Sequence, residues 1–216
     1  METANIELPV YLIGSQFDGG TVEAAFKQFE GRDEFCLSMI DDVKDARGKP
    51  DRWQTVKRCV KKAIEAQEDL FVLCESDHIF TAQYHKDYLI RNIIEAHGQG
   101  CNILCGGVAS FQDAVPLSRN RYWFDSFMVS SFTIIYVKFY QNLRDEPGTE
   151  NLTLDQNLSK MTSHKMTLYP FISVRNYPKS GGLGTLQCEI MYRFTNSGMK
   201  LKIYQEAYDR YILKNR

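Results

Sequence analysis

Through residue 107 the chain alternates short apolar runs with segments whose apolar residues recur at helical spacing, and this alternation limits the possible folds more than any other feature. Residues 8–13 form an apolar run closed by Gly14-Ser15 and Gly19-Gly20, a strand followed by a turn. Residues 21–29 place Val22, Ala25, Phe26 and Phe29 on one helical face, with Thr21 as the expected N-cap. A second apolar run, 35–40, ends at Asp41-Asp42. Asp51 is placed to cap a helix whose stripe is Val56, Cys59, Val60, Ala63 and Ile64. Residues 70–74 are a third strand, running directly into Glu75-Ser76-Asp77-His78. Residues 84–97 are helical in pattern through Tyr88, Leu89, Ile93 and Ile94, and 102–105 are a fourth strand stopped by Gly106-Gly107. This order predicts an α/β fold with an open, mostly parallel sheet flanked by helices. Such sheets take ligands at the carboxyl ends of their strands. Three polar clusters fall there: Gly14-Ser15-Gln16, Asp41-Asp42 and Glu75-Ser76-Asp77-His78.

Beyond residue 107 the pattern becomes irregular. Residues 122–140 are rich in aromatic and β-branched side chains, and 127–137 read as an added strand running into a short helix. Pro147-Gly148-Thr149 is a turn and 152–161 a short helix. Residues 166–174 are apolar, interrupted by Pro170, and Ser180-Gly181-Gly182-Leu183-Gly184 reads as a loop, whose Gly181-Gly182-x-Gly184 part is either a lid that a donor would order or a plain connection. The tail, 190–213, carries Met191, Phe194, Tyr204, Tyr208 and Tyr211 and is expected to dock as a helix.

Composition removes several function classes. With 26 basic and 27 acidic side chains the net charge is -1, so no global field attracts a polyanion and a nucleic-acid partner is not expected. No basic region and apolar run open the chain, and no stretch reaches the roughly 18 apolar residues of a membrane helix. A cytoplasmic protein without an integral membrane segment is expected, with peripheral membrane association left open. Six cysteines occur without a C-x-x-C pair and are expected to be free, buried thiols.

Glu75 and Asp77 carry the chemistry. In extended backbone, residues two apart point to the same side, and two carboxylates at a strand end make a hard-oxygen site suited to Mg²⁺ or Mn²⁺. Such an ion can hold a diphosphate leaving group. His78 adds a nitrogen donor. Arg52 and Arg58 are either surface charges on a solvated helix face or contacts for an anion, and Tyr122, Trp123 and Phe124 with Arg119 and Arg121 either pack in the core or a loop or present aromatic faces as a platform to a ligand.

The strand followed by Glu75-Ser76-Asp77-His78 and Ile79-Phe80-Thr81 resembles the D-x-D region of GT-A glycosyltransferases, in the manner of glycosyltransferase family 25 of lipopolysaccharide biosynthesis. Thr153-Leu154-Asp155-Gln156-Asn157-Leu158 resembles that family's late acidic segment, and Leu168-Tyr169-Pro170 the apolar stretch after it. The likeness spans roughly residues 8–175, with Glu and Ser at the first two positions of the triplet as departures. It implies a single GT-A-like domain over 1–216, divided into a nucleotide-binding half (1–107), an acceptor and catalytic half (108–175), and a loop and tail (176–216). It implies transfer of a sugar from a nucleotide-diphosphate donor to a glycan or lipid-linked hydroxyl, assisted by Mn²⁺ or Mg²⁺. In that reading Asp77, Glu75 and His164 hold the metal, and Gly14, Ser15, Asp41, Arg58 and Glu75 line the nucleotide. Asp155 is then the general base, unless it only caps a short helix starting after Leu154, and Asp77, the main metal ligand, is counted with it as catalytic. The alternatives are a metal-dependent phosphoesterase or nucleotidyl-transfer enzyme using the same carboxylates, and a non-catalytic nucleotide-sugar binder.

Overall fold

The computed structural model describes residues 6–14, 19–149, 151–175 and 184–211. The first half runs β1 (Leu8–Gly14), α1 (Gly19–Phe29), β2 (Phe35–Asp41), α2 (Arg52–Glu65), β3 (Leu70–Glu75), β4 (His78–Phe80), α3 (Lys86–Gly98) and β5 (Ile103–Cys105). There follow β6 (Ala114–Pro116), β7 (Arg121–Phe124), β8 (Phe132–Tyr136), a 3-10 turn at Val137–Phe139, and α4 (Tyr140–Asp145). The remainder is α5 (Leu154–Met161), β9 (Lys165–Leu168), β10 (Ser173–Arg175) and α6 (Gly184–Tyr211).

Eight strands form one sheet in the order β2-β1-β3-β8-β5-β9-β7-β6, and β10 pairs with β4 in a separate ribbon. β1 lies parallel to both β2 and β3, and β5 to β9. β8 is antiparallel to β3 and β5, and β7 to β9 and β6, so two strands oppose the direction of the other six. This is the α/β, mostly parallel sheet that the alternation predicts. Successive side chains of β1 enter opposite layers: Tyr11 and Ile13 join the core built with Val56, Cys59, Val60 and Ala63 of α2, while Val10 and Leu12 join the core built with α1 and α3. With helices on both faces, the inner residues of β3 and all of β8 are buried without alternation.

Local signals set most boundaries. Asp51 caps α2, its carboxylate accepting the Gln54 N–H at 3.0 Å. α1 starts two residues before Thr21, so Thr21 lies inside the first turn and is not its N-cap. Ile64, placed in the buried stripe of α2, is exposed. α6 begins at Gly184, six residues before the expected docked helix, and buries Ile190, Phe194 and Leu201. Residues 180–183 of the expected loop lie outside the described residues, and Gly184, expected in it, begins α6. The aromatic platform is overturned: Tyr122, Phe124 and Arg121 are buried in β7, where Arg121 bonds Asn92 at 2.7 Å and pairs with Glu95 of α3. All six thiols are free, with Cys36 and Cys188 exposed and the other four buried. No helix among the described residues is long and apolar enough to cross a membrane.

Candidate functional site

Parallel pairing sets Gly14, Asp41 and Glu75 at the same end of three adjacent strands: Gly14 is the register partner of Asp41, and Ile13 that of Glu75. The chain then turns sharply. The Ser76 N–H donates to the Ile13 carbonyl at 3.2 Å, which brings the Ser76 side chain against Gly14. A Cβ on Gly14 would lie 2.8 Å from Ser76 Oγ and 2.9 Å from its Cβ, so only glycine allows this approach. After the turn, β4 pairs antiparallel with β10, with His78 opposite Arg175.

That register places a guanidinium between the two acids. Arg175 Nη2 is ion-paired with Glu75 Oε2, and Arg175 Nε lies 2.7 Å from Asp77 Oδ2. Each of the three side chains is less than one-fifth exposed. Burial raises the Glu75 and Asp77 pKa values above the usual carboxylate range, and Arg175 opposes the rise. The two carboxylates converge although Ser76 and Asp77 form a turn rather than the extended segment assumed from sequence. Asp77 Oδ1 and Asp42 Oδ2 are buried without a hydrogen-bond donor among the described residues.

Asp155 sits in the first turn of α5, whose cap is Thr153 with Gln156 in a capping box. The Asp155 carboxylate accepts the backbone N–H groups of Val129 at 2.6 Å and Ser130 at 3.2 Å. Desolvation pushes its pKa up to about 6, against the pull of Arg175 and these two amides. The structure brings Asp155, Glu75 and Arg175 onto the wall of one cleft of about 850 Å³, shared with Arg52, Trp53, Gly148 and Thr149. Asp77, absent from that described lining, meets it through Arg175. Arg52, at the start of α2, is held by Asp42 at 2.8 Å.

Other expected site residues fall elsewhere. Arg58 is exposed and donates to the Asp41 carbonyl at 3.0 Å. His78 is 2% exposed, packs among Phe29, Phe80 and Phe132, and bonds Ser173 Oγ through Nδ1 at 2.8 Å. Burial lowers its pKa to about 3, so it is a neutral core residue. His164 immediately precedes β9 and lies at the amino end of the sheet, where its carbonyl accepts the Asn102 N–H, opposite the Glu75 end. It is therefore not brought to the acidic pair. Ser15 lies outside the described residues.

The decisive residue absent from the sequence reading is Arg175. The apolar segment 166–174 stopped one residue short of it. A signal existed: two acids in an apolar setting require a cation or a proton, and Arg175 ends an apolar run. The Val129 and Ser130 amides had no sequence signal, because backbone donors are the same at every position.

The residues as arranged do not fit a divalent ion. One guanidinium takes both Glu75 Oε2 and Asp77 Oδ2. Neither His78 nor His164 supplies a further ligand, and no group of three or more His, Cys, Asp or Glu among the described residues is arranged to hold a metal.

No protein-family model matches the chain, and no curated protein matches it. Among solved structures it is similar to A197 from STIV at a TM-score of 0.55 and 9% identity, over 80% of this chain and 86% of that one. An apo UDP-glucose pyrophosphorylase gives 0.46 at 10% identity over 94% and 81% of the two chains. The glycosyltransferase GlyE from Streptococcus pneumoniae TIGR4 gives 0.47 at 12% identity over 76% of this chain and 46% of that one. At these identities likeness concerns the fold alone, and of these three the A197 likeness is the one with a TM-score above 0.5.

Proposed function

We propose that the protein is a glycosyltransferase that uses a nucleotide-diphosphate sugar. The observation that carries this reading is the joining of Asp155, Glu75, Arg175 and Arg52 in one cleft at the carboxyl end of β1–β3. Arg52 and Arg175 suit the anionic leaving group, because guanidinium forks match phosphate oxygens. The buried Asp155 carboxyl, with its pKa near 6, is matched to accepting a proton near neutral pH. Its Oδ2 is engaged by the Val129 and Ser130 amides, so Oδ1 takes the proton of the acceptor hydroxyl. As the acceptor hydroxyl oxygen bonds to the anomeric carbon, the bond from that carbon to the diphosphate oxygen breaks and the nucleoside diphosphate leaves. The likeness of Glu75-Ser76-Asp77 to a D-x-D triplet and of Asp155 to the late family acid supports the same assignment. No step in this mechanism runs through a metal, because Arg175 takes up the acidic pair.

The test is a screen of UDP, GDP and CMP by thermal denaturation, followed by assay of the matching nucleotide sugars for donor hydrolysis and transfer. Saturation to about 100 times the dissociation constant stabilises by ~2.7 kcal/mol and raises Tm by roughly 5–10 °C. Asp155→Asn should retain that shift while losing turnover by about 100-fold or more. A protein that no nucleotide stabilises, or a binder that turns over no donor, would defeat the assignment.

A further inference from the structure

The reading of this cleft as a nucleoside-diphosphate site underlies a more specific inference. We propose that Arg175 is the site's built-in cation: its guanidinium takes the place that a divalent ion would hold between Glu75 and Asp77, so that the diphosphate is bound by arginine without metal.

Three features support this. The first is the pairing itself, with Arg175 contacting one oxygen of each acid, Glu75 Oε2 and Asp77 Oδ2. The second is how firmly Arg175 is placed. Its cross-strand partner in the β4–β10 ribbon is His78, and the neighbouring Ser173 hydroxyl bonds His78 Nδ1 at 2.8 Å. Ser131 Oγ lies 3.2 Å from Ser173 Oγ and donates to the Val174 carbonyl at 3.2 Å. His78 is itself wedged among Phe29, Phe80 and Phe132, so the strand carrying Arg175 is fixed to the core. Arg175 is 14% exposed, unlike a surface arginine that samples many rotamers. The third is the donor set of the cleft: Arg47, Arg52 and Arg175 line it among the acids Asp45, Asp51, Glu75 and Asp155. Guanidinium groups recognise phosphate oxygens bidentately and need no bridging ion.

Charge makes the two cations exclusive. A divalent ion entering between Glu75 and Asp77 would either expel Arg175 from its buried partners or sit beside a fixed positive charge in a poorly screened setting. Conversely, the departing diphosphate meets a cation that is already in position. Glu75 in place of the aspartate of a D-x-D triplet is consistent with this, since its longer side chain reaches a guanidinium on the separate β4–β10 ribbon.

The experiment titrates the full chain with Mn²⁺ alone, followed by electron paramagnetic resonance, and repeats the nucleotide thermal screen in Mn²⁺ and in EDTA. The wild type should bind Mn²⁺ at least about tenfold more weakly than Arg175→Gln, in which the acidic pair is released. The nucleotide-induced Tm shift of the wild type should persist in EDTA, and in Arg175→Gln it should become dependent on Mn²⁺. Arg175→Lys, which keeps the charge but loses the fork, should still exclude Mn²⁺ while showing a smaller nucleotide shift; it serves where Arg175→Gln fails to fold. Mn²⁺ binding by the wild type as tight as by Arg175→Gln, or a wild-type nucleotide shift abolished by EDTA, would overturn the proposal while leaving the transferase reading intact. Absence of any shift, with or without Mn²⁺, would instead overturn the nucleotide reading of the cleft and the diphosphate half of this proposal with it.

Discussion

At Gly14 a missing side chain lets β3 turn back over β1. Any Cβ there would press on Ser76 at less than 3 Å. Gly14→Ala is expected to cost ~1–3 kcal/mol, the range for overpacking a tight contact, read as a lowered denaturation midpoint. Adding Ser76→Gly should recover most of that loss, because it removes the atoms that clash. Asp155 offers a test by pH. Its pKa of about 6 in the folded protein lies above the ordinary aspartate value of 3.8, so the folded state keeps a proton that the unfolded state releases. Its stabilising contribution is complete below about pH 4 and is lost as pH rises to about 6. Asp155→Asn keeps an acceptor for the two backbone amides but cannot ionise. Relative to wild type the variant should therefore gain ~1–3 kcal/mol between pH 4 and pH 7, measured by denaturant titration at both. An unchanged difference between the two pH values would show that Asp155 is not desolvated as described.

The element that matters most to the site is the turn at 129–130, which α5 holds through Asp155. Val129 adopts a φ of 60°, the left-handed region that a β-branched residue enters at a cost of ~1–2 kcal/mol. The turn keeps that shape because both amides are bonded to one carboxylate. Asp155→Ala should destabilise by ~2–4 kcal/mol, since two shielded N–H groups lose their acceptor. In the wild type Val129→Gly should stabilise by removing that strain, and in the Asp155→Ala background it should stabilise less, a coupling that a double-mutant cycle measures. α2 is simpler. Its Asp51 cap precedes the cleft residue Arg52, so Asp51→Ala should cost ~1 kcal/mol and weaken nucleotide binding only modestly. The alternation in the sequence located α2, α3 and the strands β1, β2, β3 and β5 to within one or two residues. It did so because each buries a stripe or face whose period is written in apolar residues. It placed Thr21 as a cap because a threonine before an apolar stripe has the same local signature whether the helix starts at it or two residues earlier.

Across the whole molecule, the site stands on two apolar layers that share a central sheet. Phe132 of β8 is fully buried and packs on His78, Phe35 and Phe80, so it joins the antiparallel insertion to the ribbon that carries Arg175. Phe132→Ala should cost ~3–5 kcal/mol and also weaken nucleotide binding, because the cavity loosens the support of β4 and β10. A stability loss with nucleotide affinity unchanged would show the ribbon to be held independently of that layer. The sequence by itself determined the α/β class, the order of the leading strands and the placing of Gly14, Asp41 and Glu75 at strand ends. Those features follow from apolar periodicity and parallel pairing, which act over short stretches of chain. Tertiary structure alone decided which charges meet. Arg175 lies 100 residues from Glu75, and Asp155 lies 25 residues from the Ser130 amide it accepts. His78, next to Asp77 in sequence, points into an aromatic core, while His164 ends at the far side of the sheet. Spacing along the chain carries no record of such contacts, because they depend on β-ribbon register and on which side of the sheet each crossover takes.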